Sequence, residues 1–356
     1  MKLNHIYKSI ACGVLLAMTA TSCDLDYNPV DTYSDVTEGV NKTDEKPIFN
    51  SVQDVETSMV TLHKKFRDQQ EHWYVDKLLI GDAHSDNAYA GTTGAEVVPY
   101  ETNSIEGSNS VLKRDWDRFL GDIAVANRII VGCDQLKALS ESERGKYQSQ
   151  AKIFRAMVMF DMVRLWGNFP VITTVGGDIT EDNVEEMYPT YFPPQNTAEE
   201  AYAQIEKDLT EAVENPNTPT NDTSDKSILT KSVARAMLAK VYAEKPLRDY
   251  EKVIKYADEL AADGFDLVED FSDLWAYDTE KKDCRVRNTK EAILEAHFPP
   301  GSGNWCTWMF GRNLSNWDES FTWAKWITPS RDLIRLYEEQ GDTKRYNASA
   351  VSYTHL

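Results

Sequence analysis

The sequence has little of what a nucleic-acid binder, a metalloprotein or a membrane-spanning protein requires. Positive charge is scarce: 38 Lys and Arg face 58 Asp and Glu. Phosphate binding needs a basic face, so the balance argues against nucleic acid and against polyanionic substrates. Cysteine is rare, at five residues, with no CxxC pair and no His at zinc spacing. Cys133, Cys284 and Cys306 read as isolated buried thiols, or as one disulfide and a lone thiol. The motifs GxSxG, HExxH, GxGxxG and the P-loop are absent. No catalytic residue, metal or cofactor is therefore expected. Among 58 acidic residues some pair must fall at glycosidase spacing by chance, and nothing singles one out. His63 and His72 flank the first expected helix and are read as solvent-facing. Asp24-Leu25-Asp26-Tyr27-Asn28 has half of a calcium-loop pattern but lacks the glycine at its sixth position.

Long apolar runs are also missing after the first twenty residues. At the N-terminus, Lys2 and Lys8 precede an uncharged stretch from Ile10 to Ala20, too short to span a bilayer. It ends in Ala20-Thr21-Ser22-Cys23, small residues before a cysteine, as at a lipoprotein cleavage site. Ala20 stands where such sites usually carry Leu. Residues 1–22 are read as a signal peptide, Cys23 as the lipidated residue, and residues 23–50 as a polar tether. Loss of Lys2 and Lys8 takes the formal charge from −20 to −22. The expected product is anchored to a membrane without crossing it.

From Val52 the pattern turns helical. Val52, Val55, Met59, Leu62 and Phe66 form an amphipathic stripe. A loop of small and polar residues is expected from Gly81 to Asn109. Helices are expected next over Trp116–Val131 and Tyr147–Trp166, the second apolar all round and stopped by Gly167 and Pro170. Thr197 with Glu200 three later reads as a cap for a helix bearing Tyr202, Ile205, Leu209 and Val213. Thr230–Ala243 and Tyr250–Ala262 complete the series. Ala234, Ala236, Ala239 and Ala243 offer a small face for close approach. Long helices joined by loops predict a mainly α fold of tetratricopeptide-like antiparallel pairs over residues 51–264. Residues 265–346 read as a loop-rich ligand-binding part, with a strand over Glu291–Phe298 and a helix over Pro329–Glu339. On the expected third helix, Asp161 and Arg164 are spaced to pair with each other.

Two regions carry residues suited to ligand contact. Five of the nine tryptophans, Trp305, Trp308, Trp317, Trp323 and Trp326, crowd into one stretch with Gly301, Gly303 and several Asn. Aromatic faces stack on the CH-rich faces of sugars, and the indole N–H can donate to a hydroxyl. The same rings could instead form a core beneath a loop. The second region is Gly81–Tyr89, where Asp86 and Asn87 offer hydroxyl partners and Tyr89 a ring. Asp82 and Asp86 could alternatively cap helix ends.

The order of these segments resembles the SusD/RagB family of outer-membrane nutrient-binding lipoproteins. Ala151–Pro170 resembles its helix-and-turn signature, an Arg-Ala pair before an aromatic-rich helix ending in Trp-Gly and then Pro. Trp116 with Ala126-Asn127, the set Ile205, Asp208 and Leu209, Thr230-Lys231 with Ala234–Tyr242, and Thr328-Pro329-Ser330 followed by Gly341-Asp342 and Lys344-Arg345 resemble successive further segments. The resemblance implies a protein on the outer membrane that captures an oligosaccharide or polysaccharide, or in some members a peptide. It would hand the ligand to a SusC-like TonB-dependent transporter. Gly81–Tyr89 resembles the family loop near the binding face. Family chains usually continue beyond the Gly-Asp turn; residues 265–346 are accordingly expected to be an incomplete part and 347–356 a foreign tail. A surface glycoside hydrolase and a peptide-binding or scaffolding lipoprotein are the alternatives.

Overall fold

The computed structural model of the protein describes residues 47–90, 95–177, 179, 183–274, 277–278, 280–281, 283–299 and 327–349. Helix α1 (Val52–Asp68) opens with a reciprocal cap: Ser51 Oγ accepts from Asp54 N, and Asp54 accepts from Ser51 N. Val55, Met59, Leu62 and Phe66 are buried, as the stripe requires. A π-helical turn (Glu71–Val75) leads directly into α2 (Asp76–Asp82). Strand β1 (Ala88–Ala90) and short α3 (Val98–Glu101) then interrupt what reads in sequence as one long loop.

The main body is built from α4 (Ser110–Gln135) and α5 (Glu141–Trp166), an antiparallel hairpin packed along its length. Both helices start earlier than their apolar periodicity suggests, because their first turns are polar and depend on caps. Asn109 Oδ1 accepts from Val111 N and Leu112 N, while Ser140 and Glu143 cap reciprocally. Caps of this kind are each worth about 1 kcal/mol. Short α6 (Val184–Tyr191) precedes α7 (Ala198–Glu214), capped by Thr197 and Glu200 as expected. Helices α8 (Lys231–Ala243) and α9 (Tyr250–Ala262) complete the stack. Helix α5 lies between α4 and α7 and also touches α1 and α8. That position explains why α5 is apolar around its circumference. It ends at Gly167, whose φ of 71° is easily adopted only by glycine.

The core contains a tilted aromatic cluster. The rings of Phe66 and Trp73 lie 4.7 Å apart, those of Trp73 and Phe154 5.4 Å, and those of Phe66 and Phe154 5.3 Å. Phe49, within the stretch read as tether, is buried against Gly132 of α4, where any side chain would collide with its ring. The buried face of α8 is Val233, Ala234, Leu238, Val241 and Tyr242; of the small residues, Ala234 is in the core and Ala239 packs against it, while Ala236 is half-buried and Ala243 exposed, so larger side chains make most of the packing surface. After α9, two short strands, β2 (Tyr277–Asp278) and β3 (Asp283–Cys284), pair antiparallel. Residues 291–298 form no strand. Ile293, Leu294 and Ala296 pack on the core from irregular backbone, joined to the body by Glu295 N donating to Lys226 O at 2.8 Å. Near the end, β4 (Ile327–Pro329) leads through Ser330 into α10 (Arg331–Gln340), with α11 (Thr343–Ser349) after it. Pro329 thus belongs to a strand and Ser330 caps the helix. Cys133 and Cys284 are free thiols, the first buried and the second exposed.

One charged network crosses this body. Arg155 of α5 donates to both carboxylate oxygens of Asp208 on α7, at 2.8 and 2.7 Å. A third nitrogen donates to Asn127 Oδ1 of α4 at 2.7 Å. Asn127 Nδ2 in turn donates to the carbonyls of Ile172 and Thr174, and Gln204 donates to Asp208. Asp161 and Arg164 do not pair with each other. Asp161 binds Lys77 of α2, and Arg164 binds Glu244 after α8 at 3.1 Å, because tertiary partners lie in better positions than the neighbour on the same helix. His72 is also not solvent-facing: it is buried, 2.8 Å from Asp122 Oδ2, and Asp122 also accepts from Trp73 Nε1. His63 is half-buried against Gln150.

Removing one partner of a buried, hydrogen-bonded ion pair strands the other charge and costs about 3–5 kcal/mol. Asp208→Ala is therefore expected to lower the urea midpoint sharply. The double variant Arg155→Met, Asp208→Leu is expected to recover much of the loss, since an apolar pair strands nothing. A double variant as unstable as Asp208→Ala alone would show that the network's stability lies elsewhere.

Candidate functional site

Of the residues singled out in sequence, Asp86, Asn87 and Tyr89 lie together on the loop and strand after α2, and all three are exposed. Ser85 shapes the turn, donating through Oγ to Asp82 O at 2.8 Å and accepting from Asn87 N. The part Asp82 plays in this turn is through its carbonyl; burial raises the pKa of its carboxyl group. Strand β1 pairs antiparallel with β4, with Ala88 opposite Pro329, Tyr89 opposite Thr328 and Ala90 opposite Ile327. Alternation turns Ala88 inward and Tyr89 outward, leaving Tyr89 39% exposed. Two further bonds extend the ladder. Ser330 N donates to Asn87 O at 2.9 Å, and Ala90 N donates to Glu101 Oε2 at 2.8 Å.

A small separate core supports this rim. Leu79, Ala83, Val97, Tyr100 and Val111 are buried together, with Ile80, Ala90, Ile105, Leu112 and Ile327 packed around them. Residues from α2, α3, α4 and both strands thus share one apolar cluster, which fixes the loop from below. Trp305, Trp308, Trp317, Trp323 and Trp326 lie outside the described residues, as does Cys23. Trp326 immediately precedes Ile327 in the chain, so the Trp-rich segment is covalently joined to the strand that pairs beside Tyr89.

Glu101 and Ser330 hold the rim; Ser330 lies in the Thr328-Pro329-Ser330 segment noted in sequence, but its part in the rim does not follow from that motif. Ser330 could have been found as a helix cap before Arg331-Asp332-Leu333-Ile334. Glu101 could not, because its partner is a backbone N–H defined only by the folded loop.

Beneath α2 lies a group of charged side chains. Asp76 and Asp115 are buried, at 0% and 1% exposure, and Arg114 binds Asp76. Arg118 binds Glu71 at 2.9 Å. Burial, and after it the nearby Asp76 charge, raises the Asp115 pKa far above the usual carboxylate range. A glycosidase needs two carboxyl groups flanking an open cleft. This pair is sealed from solvent and offers no such geometry. Among the described residues no His, Cys, Asp and Glu group is arranged to hold a metal ion. A shallow, mostly apolar depression of about 180 Å³ lies between Leu120, Ile123 and Arg128 of α4 and residues 172–176; Asp86, Asn87 and Tyr89 do not line it.

The model of a SusD-like family, described as "Starch-binding associating with outer membrane", matches residues 32–243. A SusD-like protein of Bacteroides ovatus is 25% identical over 357 residues, covering 96% of this chain and 58% of its own length. Surface glycan-binding protein A from Bacteroides thetaiotaomicron, solved in complex with laminarihexaose, superposes with a TM-score of 0.62 at 15% identity, covering 80% of this chain and 61% of that one. A putative sugar-binding protein from Bacteroides vulgatus superposes with a TM-score of 0.61 at 18% identity, covering 82% and 63%. A laminarin-binding SusD-like protein gives 0.53 at 20% identity, covering 64% and 48%. The chain therefore spans little more than half the length of the curated relative. With a family match across more than half of its residues and the same helical fold, this chain belongs to the SusD/RagB family.

Proposed function

We propose that the protein is a lipid-anchored, surface-exposed outer-membrane protein that binds a nutrient glycan and passes it to a SusC-like TonB-dependent transporter. The observation that carries this reading is the exposed Asp86–Asn87–Tyr89 rim, paired through β1 and β4 to the end of a segment holding five tryptophans. Rings to stack on sugar faces and side chains to bond hydroxyls are thereby provided by two distant parts of the chain. Relatives of the same fold include a laminarin-binding protein and one solved with laminarihexaose, which supports a glycan as the ligand class. The role is capture rather than turnover, so no catalytic residue is assigned. Cys23 carries the lipid, residues 24–46 serve as tether, and the helical body presents the rim.

The soluble form beginning at Asp24 is expected to be retarded in native gels cast with one of a panel of polysaccharides, laminarin included, without releasing reducing ends. An aromatic contact is worth about 0.5–1.5 kcal/mol, so Tyr89→Ala should weaken retardation roughly 2- to 10-fold, and loss of Trp305, Trp308, Trp317, Trp323 and Trp326 together should abolish it. New reducing ends would favour a hydrolase. A folded sample retarded by no glycan would favour peptide capture or scaffolding.

Cys23→Ala is expected to release the full-length protein from the membrane fraction and to end its labelling by a clickable fatty acid. Retention of label in that variant would place the anchor elsewhere.

A further inference from the structure

We propose that Asp76 and Asp115 share one buried proton, and that this proton latches α2, with the ligand loop attached to its end, onto α4. The geometry begins with two orphaned oxygens. Asp76 Oδ1 and Asp115 Oδ1 are both buried without a hydrogen-bond partner, although each carboxylate oxygen is a strong acceptor. Arg114 offsets Asp115 only in part: its Nε, itself buried without a hydrogen-bond partner, forms an ion pair with Asp115 Oδ1 at 3.8 Å, beyond hydrogen-bond reach. The two carboxyls lie within side-chain hydrogen-bond reach of each other, and a proton on one makes it a donor to the other.

Charge balance points the same way. The groups facing Asp115 are Asp76 from α2, Tyr100 from α3, and Arg114 and Arg118 from α4; Glu71 from the π-helical turn faces Arg114 and Arg118. Asp76 and Glu71 offset Arg114 and Arg118. A charged Asp115 would leave one surplus negative charge in the cluster, and burial of such a charge is costly. The neutral form is the one the fold accommodates, consistent with the raised Asp115 pKa caused first by burial and then by Asp76. The folded chain thus holds a proton that the unfolded chain releases above the ordinary carboxylate range, about pH 4. Stability contributed by the pair declines as pH rises from there, and stops declining once Asp115 ionises in the folded protein.

The mechanical consequence comes from position. Asp76 is the first residue of α2, and α2 ends at Asp82, where the turn into Asp86, Asn87 and Tyr89 begins. Ionising both carboxyls sets two like charges against each other across the α2–α4 contact. The latch would then open and the loop lose its support. The bearing on ligand rests on the rim being the glycan site; the latch itself does not.

The test uses the full mature chain and its Asp115→Asn and Asp115→Ala variants. Wild type is expected to show an infrared carboxylic-acid C=O band at neutral pH that Asp115→Asn lacks. Amide exchange across residues 79–90, corrected for intrinsic base catalysis, should accelerate on the order of tenfold between about pH 6 and about pH 10 in wild type. It should stay level in Asp115→Asn, whose amide donates permanently to Asp76, and be fast throughout in Asp115→Ala. Absence of the band, or the same exchange profile in wild type and Asp115→Asn, would overturn the latch. Should Asp115→Asn fail to fold, the pH dependence of the wild-type band decides alone. Glycan retention measured at both pH values separates the two readings. Retention lost at high pH only in wild type extends the latch to the ligand, whereas unchanged retention beside lost protection would overturn that link and leave the latch standing.

Discussion

The helical body is organised around one guanidinium. Arg155 could not stay buried in an apolar interior unless its nitrogens found acceptors, and they find them on two neighbouring helices at once. That requirement sets the depth of α5 between α4 and α7. It also directs the chain beyond the end of α5. Because Asn127 gives its oxygen to Arg155, its amide is aimed at the carbonyls of Ile172 and Thr174, drawing the backbone after Gly167 across α4. From there Asn196 N donates to Phe169 O, its side chain accepts from Val171 N, and Glu200 accepts from Asn196 as α7 begins. A single charge thus fixes three helices and the connection between two of them.

The rim stands apart from that arrangement. Its support is a second, smaller cluster, and its backbone is held by a three-residue ladder with two additional bonds from Ser330 and Glu101. Such a construction leaves Tyr89 exposed without leaving it free to wander. Stacking on a sugar loses affinity if the ring must first be ordered, so in the proposed role this support from below would contribute to binding without touching the ligand.

Much of the body was legible in the sequence because burial on one face leaves a period. The stripe from Val55 to Phe66, the all-round apolarity of α5 and the Thr197–Glu200 cap each state their structure locally. The polar first turns of α4 and α5 do not, since caps and not apolar side chains define them. The ladder was invisible for a different reason: two strands of three residues carry too few side chains to alternate visibly, and pairing across the length of the chain leaves no local trace. Apolar Ile293 and Leu294 suggested a strand, but their burial is achieved by irregular backbone. Likewise Asp161 and Arg164 satisfied a helical spacing rule and were claimed by Lys77 and Glu244. Asp86, Asn87 and Tyr89 were proposed as ligand contacts from their chemistry alone; Glu101, which helps hold them, left no such trace.

The register of β1 against β4 also orders events in time. Helical hairpins such as α4–α5 close short loops and form quickly, whereas pairing Tyr89 with Thr328 must wait for two segments near opposite ends of the body to meet. During synthesis the helices can assemble as they emerge, but the rim has no second strand until Ile327 has been made. Any ligand contact made through Tyr89 must therefore wait for a pairing that the helices themselves do not need.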